Sequence, residues 1–450
     1  MADPQLTTRV LRRLLANGLV TRAERLLARS HPADLAPMLG DLHADEVRTV
    51  VDILFRQHRA AATLRELPPE IFPQIFDALG DQRLADILTR LEIDDMLEMV
   101  EWLPEERRQP VTSRLPEEKA AELRKAERYP ADSAGRAMTT RFVGLGLQMT
   151  AQQAIDRIRA VGDDTEAILY LYVVDEKGRL AGVVPIRRLV SAPPERALSE
   201  LMIHDPVRCR ADDDQEQAAQ AVARYNLLAI PVVDEEDRLL GVITVDDVIE
   251  VITEEATEDI YNLAGLHEAD RVFTTPLQSF RRRLPWMLLN LGALFVAAWV
   301  IGLFEHTLEQ LVALAFFMPV VAGMGGNSGI QSLTVITRGI ALGEIEFSSG
   351  LRLVAKELAV ALAIGAVAGA VAAAMATLWQ GSALLGGVLF VSMVVTIGVA
   401  GMLGAAVPLL LKALHQDPAL GSGVIVTTVT DVVGFITFLG MGTLLIERLS

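Results

Sequence analysis

The sequence predicts a multidomain protein: an all-α superhelical domain, a pair of α/β modules and a connecting helix precede a transmembrane domain of five helices. The evidence is an amphipathic helical pattern near the start, an internal repeat, and five long apolar stretches near the end. We expect the helical acidic domain over 1–130, the paired modules over 131–252, the connecting helix over 253–280 and the membrane domain over 281–450.

The N-terminal domain has the apolar spacing of short amphipathic helices, with steps of three and four residues that bring side chains onto one helix face. One such face consists of Ile71, Phe72, Ile75, Phe76 and Leu79. Asp94 and Asp95 fall at the start of another helix, where acidic side chains usually cap free backbone N–H groups.

The middle of the chain contains a repeat. Residues 171–184 read LYVVDEKGRLAGVV, and residues 230–243, which lie 59 positions further on, read IPVVDEEDRLLGVI. Each copy follows a predicted helix, Ala151–Val161 or Gln215–Tyr225, so each unit is expected to run strand, helix, strand, strand, helix. This pattern resembles tandem CBS modules, pairs of which bind adenine nucleotides or act as regulatory clamps.

CBS modules hold the ribose of a nucleotide with a Thr/Ser-x-x-Asp sequence after the last strand. The second module has Thr244 and Asp247 at these positions, whereas the first has Pro185 and Arg188. The resemblance therefore allows ATP to bind at one module. A structural or metal-responsive pair is the alternative.

Charge is distributed unevenly along the chain. Residues 281–450 contain 8 basic and 8 acidic side chains, so the formal net charge of −17 lies entirely in residues 1–280. Such a surface repels phosphate, which excludes nucleic acid as a partner and favours cations; ordinary solubilising charge is the alternative. One helix face combines four acids that repel one another unless a cation or basic partner neutralises them. These are Asp247, Glu250, Glu254 and Glu258, and a solvated helix face is the alternative interpretation.

Five stretches reach the length of about 20 mostly apolar residues that a transmembrane helix needs. They are Pro285–Phe304, Leu311–Thr337, Leu358–Trp379, Leu384–Leu411 and Gly421–Ile446. Basic residues occur in the loops after the second and fourth stretches, for example Arg352 and Lys412, and not in the loops after the first and third. The positive-inside rule then places residues 1–280 in the cytosol and the C-terminus outside.

Asp431 lies near the middle of the fifth stretch, with hydroxyls close by at Thr427, Thr428 and Thr430. A carboxylate at this depth costs several kcal/mol unless it faces water, a cation or a partner group. We interpret Asp431 as part of an ion pathway. A protonated side chain that is hydrogen-bonded to a neighbouring helix is the alternative.

The second stretch contains Pro319 and the sequence GMGGNSG at 323–329. We expect these residues to interrupt the helix, because proline removes a backbone hydrogen bond and glycine permits irregular backbone. Freed carbonyls near Gly325, Gly326 and Asn327 would then line a hydrated pathway. A glycine-rich helix contact is the alternative.

A single acid makes a poor closed pore, so we expect a twofold homodimer that brings two copies of Asp431 to one axis. Two facing carboxylates favour a divalent ion between them. Mg²⁺ keeps most of its waters and contacts few carboxylates, which suits a wide site with one acid per subunit.

The order of these parts resembles the MgtE magnesium channel family over nearly the whole chain. The motifs that carry the resemblance are DSAGRAMT at 132–139, TVDDVIEVITEEATEDI at 244–260, MPVVAGMGGNSGIQS at 318–332 and DPALGSGVIVTTVTDVVGF at 417–435. The resemblance implies a homodimer with its pore between the second and fifth spans, Asp431 as the pore carboxylate, and a location in the bacterial inner membrane.

The resemblance also implies that cytosolic acids bind regulatory Mg²⁺ and close the pore when the ion is abundant. The matching positions are Asp94, Asp214, Glu216, Asp247, Glu250, Glu255, Glu258, Asp259 and Asp417. Glu250 replaces an aspartate of the family pattern, and Gly423 stands in place of an asparagine near the pore mouth.

Two other functions are compatible with this organisation. One is a channel for another divalent ion such as Co²⁺ or Mn²⁺, which the absence of His and Cys from the predicted spans disfavours. The other is a nucleotide-sensing membrane regulator without conduction, which Asp431 disfavours. The sequence has no Walker loop or nucleophile motif, so we do not expect an enzyme.

Overall fold

The computed structural model describes residues 4–67, 71–161, 170–266, 270, 272, 274–345, 350–414, 416–419 and 422–445. The chain divides into two compact units, Met1–Thr253 and Glu254–Ser450. The first unit contains the helical domain and the paired modules, and the second contains the long apolar helices.

The N-terminal domain is helical, as expected. Its described helices are Pro4–Ala16, Val20–Arg29, Pro32–Gly40, Ala44–Arg56, Ala60–Arg65, Phe72–Ala78, Asp81–Leu88, Ile93–Trp102, Glu105–Thr112 and Glu117–Ala126. The predicted apolar face is confirmed, because Phe72, Ile75 and Phe76 are fully buried in one core. Phe72 also contacts the ring of Trp102, two short helices further along the chain, with ring centroids 4.2 Å apart and the rings tilted by 40°.

The first module forms one small sheet from four strands: β1 (Gly144–Gly146), β2 (Tyr170–Val174), β3 (Leu180–Pro185) and β4 (Ile203–His204). The second forms a three-stranded sheet from β5 (Cys209–Arg210), β6 (Ala229–Val233) and β7 (Leu239–Thr244). In each sheet a parallel pair precedes an antiparallel hairpin. The predicted helices Ala151–Val161 and Gln215–Tyr225 have the expected bounds, and short helices Ile186–Val190 and Leu198–Leu201 complete the first module.

The repeat is explained by its two hairpin turns. In the first, Asp175 accepts hydrogen bonds from the backbone N–H groups of Lys177 and Arg179, and Asp234 does the same in the second with Glu236 and Arg238. Left-handed backbone follows at Gly178 and Asp237. The two turns also hydrogen-bond each other, from Leu180 N–H to the Asp237 carbonyl and from Leu239 N–H to the Gly178 carbonyl.

The connecting helix has different bounds from those expected. One helix runs continuously over Val245–Leu263, so it begins directly after β7, and the next begins at Pro276. Between these two helices, the residues that the structure describes, 264–266, 270, 272 and 274–275, are not helical. The acidic stripe of Asp247, Glu250, Glu254 and Glu258 continues from the second module into this helix, so it marks no boundary between them.

Five helices are long and apolar enough to cross a membrane, as predicted. They are span 1 (Pro276–Gly302), span 2 (Ala313–Ala341), span 3 (Gly350–Gln380), span 4 (Ala383–Ala413) and span 5 (Ser422–Leu444), with a short helix, Glu305–Gln310, before span 2. Both predicted ends of the fifth span, Gly421 and Ile446, lie outside the described residues. Span 4 is central, since 56% of its most apolar window is buried, against 11% in span 1.

The expected break in span 2 is wrong. Span 2 is one continuous helix that includes Pro319 and the whole of 323–329. Its glycines permit close helix packing instead: a Cβ added at Gly329 would meet Val426 at 2.5 Å, and one added at Gly325 would meet Thr396 at 2.7 Å. The alternative interpretation, a glycine-rich helix contact, is the one that the structure supports.

Span 4 makes the complementary contact through Gly404, where an added Cβ would lie 2.5 Å from the Gly329 carbonyl oxygen. We expect Gly404→Val to lower the free energy of unfolding by about 1–3 kcal/mol, because overpacking forces two backbones apart. Thermal unfolding of the detergent-solubilised protein measures this. Gly387→Val in the same helix is the matched control, since nothing lies within 4 Å of its Cβ position. Equal unfolding temperatures for the two variants would contradict the close packing.

Candidate functional site

Asp431 is the tenth residue of span 5 and lies near the middle of that helix. Its side chain is partly exposed, and no hydrogen bond or ion pair to it is found among the described residues. The alternative in which Asp431 bonds to a neighbouring helix therefore has no support within one chain. A carboxylate left open at this depth requires water or a cation.

The hydroxyls near Asp431 donate their protons to their own helix. Thr427 donates to the Gly423 carbonyl at 2.9 Å, and Thr428 donates to the Val424 carbonyl at 2.6 Å. Both side chains are partly exposed, and their oxygen lone pairs stay available to water or a cation. Thr430 is fully buried and faces Gly325 of span 2 instead.

Span 2 places the remaining predicted pore residues on different faces. Gly325 is buried between Thr396 and Thr430, so it packs the helices together. Gly326 is partly exposed beside Thr427, with its Cβ position 3.6 Å from the Thr427 methyl. Asn327 and Pro319 are exposed. The structure thus brings Gly326 to the hydroxyl-bearing face of span 5.

A second acid lies within the spans. Glu357 of span 3 is 5% exposed, accepts a hydrogen bond from Ser332 of span 2 at 2.8 Å, and receives another from Lys356 at 2.6 Å. The predicted third span began at Leu358 and so excluded this residue, whereas the helix begins at Gly350. Among the described residues of the five spans, the acids are Asp431 and Glu357.

The end of the connecting helix meets the loop before span 5. Asn262 donates a hydrogen bond to the Asp417 carboxylate at 2.8 Å and another to Glu258 at 3.3 Å. Burial, with the charges of Asp417 and Glu258, raises the pKa of Asp259 to about 6. Three predicted regulatory acids are therefore close together, and Glu255 lies half-buried one turn earlier.

A second acidic cluster lies within the first unit, where the start of helix Ile93–Trp102 meets the start of helix Val245–Leu263. Burial and the neighbouring charges of Asp95 and Asp247 raise the pKa of Asp94 well above its usual range. One carboxylate oxygen of Asp94 is buried without a hydrogen-bond partner. Carboxylate oxygens of Glu98 and Glu250 also lie within 4.8 Å of each other. We define Asp94, Asp95, Asp247 and Glu250 as the junction cluster.

The other acids of the junction cluster are perturbed in the same direction. Burial raises the pKa of Asp95 to about 7, against the opposing charge of Arg65, which lies 3.6 Å away. Burial also raises the pKa of Asp247 to about 6 and that of Glu250 above its usual value. Burial and mutual repulsion destabilise the ionised forms of these carboxylates. A bound cation would stabilise them.

Asp214 and Glu216 lie at the start of helix Gln215–Tyr225. The Asp214 carboxylate caps this helix by accepting a hydrogen bond from the Glu216 N–H at 2.8 Å. Burial and the Asp214 charge raise the pKa of Asp132, so two carboxylates are close at this point. Asp214 and Glu216 belong to the second module and are separate in sequence from the junction cluster.

The predicted nucleotide residues contact each other directly. The buried Thr244 donates hydrogen bonds from both its hydroxyl and its backbone N–H to the same oxygen of Asp247. Asp247 therefore belongs to the junction cluster and to the Thr-x-x-Asp sequence at once.

Comparison with known proteins decides the family. The chain is 36% identical to the magnesium transporter MgtE of Thermus thermophilus over 95% of its own length and 96% of the relative. The chain belongs to the MgtE family of magnesium transporters. It is also 32% identical to the Bacillus subtilis MgtE, over 85% of each chain. The MgtE divalent cation transporter model matches residues 318–441, and the MgtE intracellular N domain model matches 30–132.

The residues that precede the spans match further family models and a solved structure. CBS domain models match residues 134–195 and 198–254, which confirms the CBS resemblance. A solved structure described as the cytosolic domain of the Mg²⁺ channel MgtE in complex with ATP is 35% identical, with a TM-score of 0.51, and covers 54% of this chain and 99% of that one. MgtE proteins are transporters, so the expectation that the chain is not an enzyme is confirmed.

In this MgtE protein two acids escaped the sequence reading. The apolar pattern does not include Glu357, because the predicted span begins at Leu358, after the last charged residue. The observed helix begins eight residues earlier, at Gly350. Glu98 was missed because its neighbour Glu250 is more than a hundred residues away. The first could have been found by extending the span to the loop, and the second had no local signal.

Proposed function

We propose that this MgtE protein is a magnesium-selective channel, a homodimer whose pore is lined by spans 2 and 5 and which cytosolic Mg²⁺ closes. The observation that carries the proposal is Asp431, a carboxylate without a hydrogen-bond partner among the described residues, beside two part-exposed threonines. A relative described as an Mg²⁺ channel supports conduction over carrier-type transport.

The dimer follows from the ion's charge. One Asp431 balances half of the charge of Mg²⁺, and a twofold axis beside spans 2 and 5 supplies the second carboxylate. Mg²⁺ keeps its inner waters and contacts these carboxylates through them, as its reluctant dehydration requires. The part-exposed Thr427, Thr428 and Gly326 face this hydrated ion.

Closure works through the connecting helix. At high cytosolic Mg²⁺, ions bind the junction cluster, the Asp214–Glu216 pair and the acids at Asp259 and Asp417. Helix Val245–Leu263 carries acids of the first and last groups, so ions bound at either group act on the same helix. A shift from mostly open to mostly closed needs about 5 kcal/mol, which several modest sites supply together.

The membrane topology is that of a multi-pass protein of the bacterial inner membrane. Residues 1–280 lie in the cytosol and the C-terminus outside. The alternation of basic loops supports this orientation. A relative whose matching part is described as cytosolic supports it as well.

Flux through reconstituted liposomes tests the channel. The full-length protein should pass Mg²⁺ when the ion is low on the cytosolic side, and flux should fall as Mg²⁺ there is raised. No flux would refute the channel. Equal flux of Mg²⁺, Co²⁺ and Mn²⁺ would instead indicate a general divalent cation channel. The matching membrane-domain model carries that broader description, divalent cation transporter.

A nucleotide site at the second CBS module is a further part of the proposal, since a relative was crystallised with ATP. We expect Thr244→Val to weaken ATP binding roughly tenfold, because Asp247 loses the hydroxyl that orients it toward the ribose. Titration calorimetry on the full-length protein measures this. Thr253→Val, at an exposed position of the helix that follows β7, is the matched control. Equal affinities for the two variants, or no ATP binding to the parent protein, would remove the site.

A further inference from the structure

The contact between Glu357 and Ser332 joins span 3 to span 2 inside the membrane domain. Ser332 and Glu357 are 6% and 5% exposed, and their hydrogen bond is 2.8 Å long. Lys356, whose side chain is 56% exposed, donates to the other carboxylate oxygen and offsets the cost of burying the charge. Burying a carboxylate among membrane helices is costly even with such partners, which argues for a role.

The three helices are closely packed at this position. A Cβ added at Gly401 would lie 3.1 Å from the Glu357 carbonyl and 3.6 Å from the Ser332 hydroxyl, and one added at Gly404 would lie 2.9 Å from the Ser332 Cβ. Spans 2, 3 and 4 are therefore in direct contact here. Glu357 is buried among these helices and contacts span 2 through Ser332.

Span 2 needs such a contact because of its composition. Ser332 lies two turns from Gly325 and one turn from Ser328 and Gly329, so these residues form one buried stripe. Glycines allow close approach but supply no side chain that fixes the rotation of the helix about its axis. A directional hydrogen bond to a buried carboxylate supplies that constraint.

We infer that Glu357 is a positioning residue for ion selectivity: it fixes the rotation of span 2 so that Gly326 stays beside Thr427 of span 5. The inference rests on the proposed pore between spans 2 and 5. A small rotation of span 2 would move Gly326 and Asn327 relative to Asp431, and so change the width of the space around a hydrated ion.

The test measures Mg²⁺ and Co²⁺ flux of full-length variants in liposomes as a function of ion concentration. Ser332→Ala and Glu357→Ala should each raise the half-saturating Mg²⁺ concentration and lower the Mg²⁺ to Co²⁺ flux ratio roughly tenfold, as expected for the loss of one hydrogen bond to a charged group. Glu357→Gln keeps an acceptor for Ser332 and should retain most of the ratio. The double variant should be no worse than the worse single variant.

Thr334→Val is the matched control, since Thr334 is exposed two residues along span 2 and its hydroxyl donates to its own helix, at the Ile330 carbonyl. It should behave as the parent protein. A lower maximal flux with an unchanged ratio and half-saturation for both alanine variants would reduce Glu357 to a structural role and overturn the inference. Additive losses in the double variant would overturn it as well.

The same experiment separates this inference from the proposed pore. If the parent protein passes no Mg²⁺, or if Asp431→Asn passes it unchanged, the proposed pore fails and the inference fails with it. If Asp431→Asn blocks flux and the Glu357 variants match Thr334→Val, the inference fails alone.

Discussion

Exchanging Asp431 for asparagine is expected to lower Mg²⁺ flux by about a hundredfold or more while leaving the protein folded. Two unit charges 4 Å apart interact by about 4 kcal/mol at an effective dielectric constant of about 20. A hydrated divalent ion lies further away, and we expect about 3 kcal/mol of attraction to the carboxylate there. Losing this attraction weakens ion binding about a hundredfold. Flux into liposomes loaded with a fluorescent Mg²⁺ indicator measures the change.

The structure explains why the fold should survive this substitution. Asp431 has no hydrogen-bond partner within the described residues, so the amide breaks no internal contact and removes a charge that is costly at this depth. Glu344→Gln is the matched control, because it removes one exposed acid from the loop after span 2. Parent-like flux from Asp431→Asn would take this residue out of the pathway.

Hydropathy predicted the five spans well because lipid imposes a simple rule on helix length and composition. It predicted their ends poorly. Charged residues such as Arg281 and Glu357 lie inside the observed helices, whereas the apolar windows excluded them. The predicted spans are therefore shorter than the observed helices at their charged ends, and they contain one acid, Asp431.

The glycine-rich part of span 2 shows a different limit. Glycine and proline raise the local probability of irregular backbone, but neighbouring helices decide whether the irregularity occurs. In this structure Thr396, Val426 and Thr430 fill the space beside Gly325 and Gly329, and the helix continues without a break. The same glycines therefore signal close packing, which only the tertiary structure distinguishes from a break.

The repeat could be predicted in detail because it is local. Both helices and all four hairpin strands follow from the paired segments, and the Asp175 and Asp234 turns repeat the same hydrogen bonds. The junction cluster is the opposite case. Asp94 looked like an ordinary helix-start residue, and nothing in its neighbourhood indicated Asp247 as a partner.

The junction cluster should make stability depend on pH in a direction that Mg²⁺ reverses. The folded-state pKa of Asp95 is raised from 3.8 to about 7, and that of Asp247 to about 6. Groups with raised pKa values contribute stability below their unfolded pKa and lose it as pH rises through the folded value. Without Mg²⁺ the first unit should therefore lose stability between about pH 4 and 7, by up to about 4 kcal/mol for Asp95. Thermal unfolding of the full-length protein at pH 5.5 and 8 measures this loss.

Asp94→Asn tests whether this loss is the basis of Mg²⁺ sensing. Asp94 has a buried carboxylate oxygen without a partner, so the neutral amide should raise the unfolding temperature at pH 8 in Mg²⁺-free buffer. The same substitution should shrink the further rise that millimolar Mg²⁺ produces, because the repulsion that the ion relieves is already reduced. Glu118→Gln removes an exposed acid from the first turn of another helix and should change neither quantity.

These two readouts separate a sensor from a structural defect. A variant that merely damages the fold lowers the unfolding temperature with and without Mg²⁺, whereas loss of a cation site at a repelling cluster raises the Mg²⁺-free value and removes the response. A lower unfolding temperature for Asp94→Asn in Mg²⁺-free buffer, with the full Mg²⁺ response kept, would place the sensing ion elsewhere. The acids around Asp259 and Asp417, at the other end of the same helix, would then be the next group to neutralise.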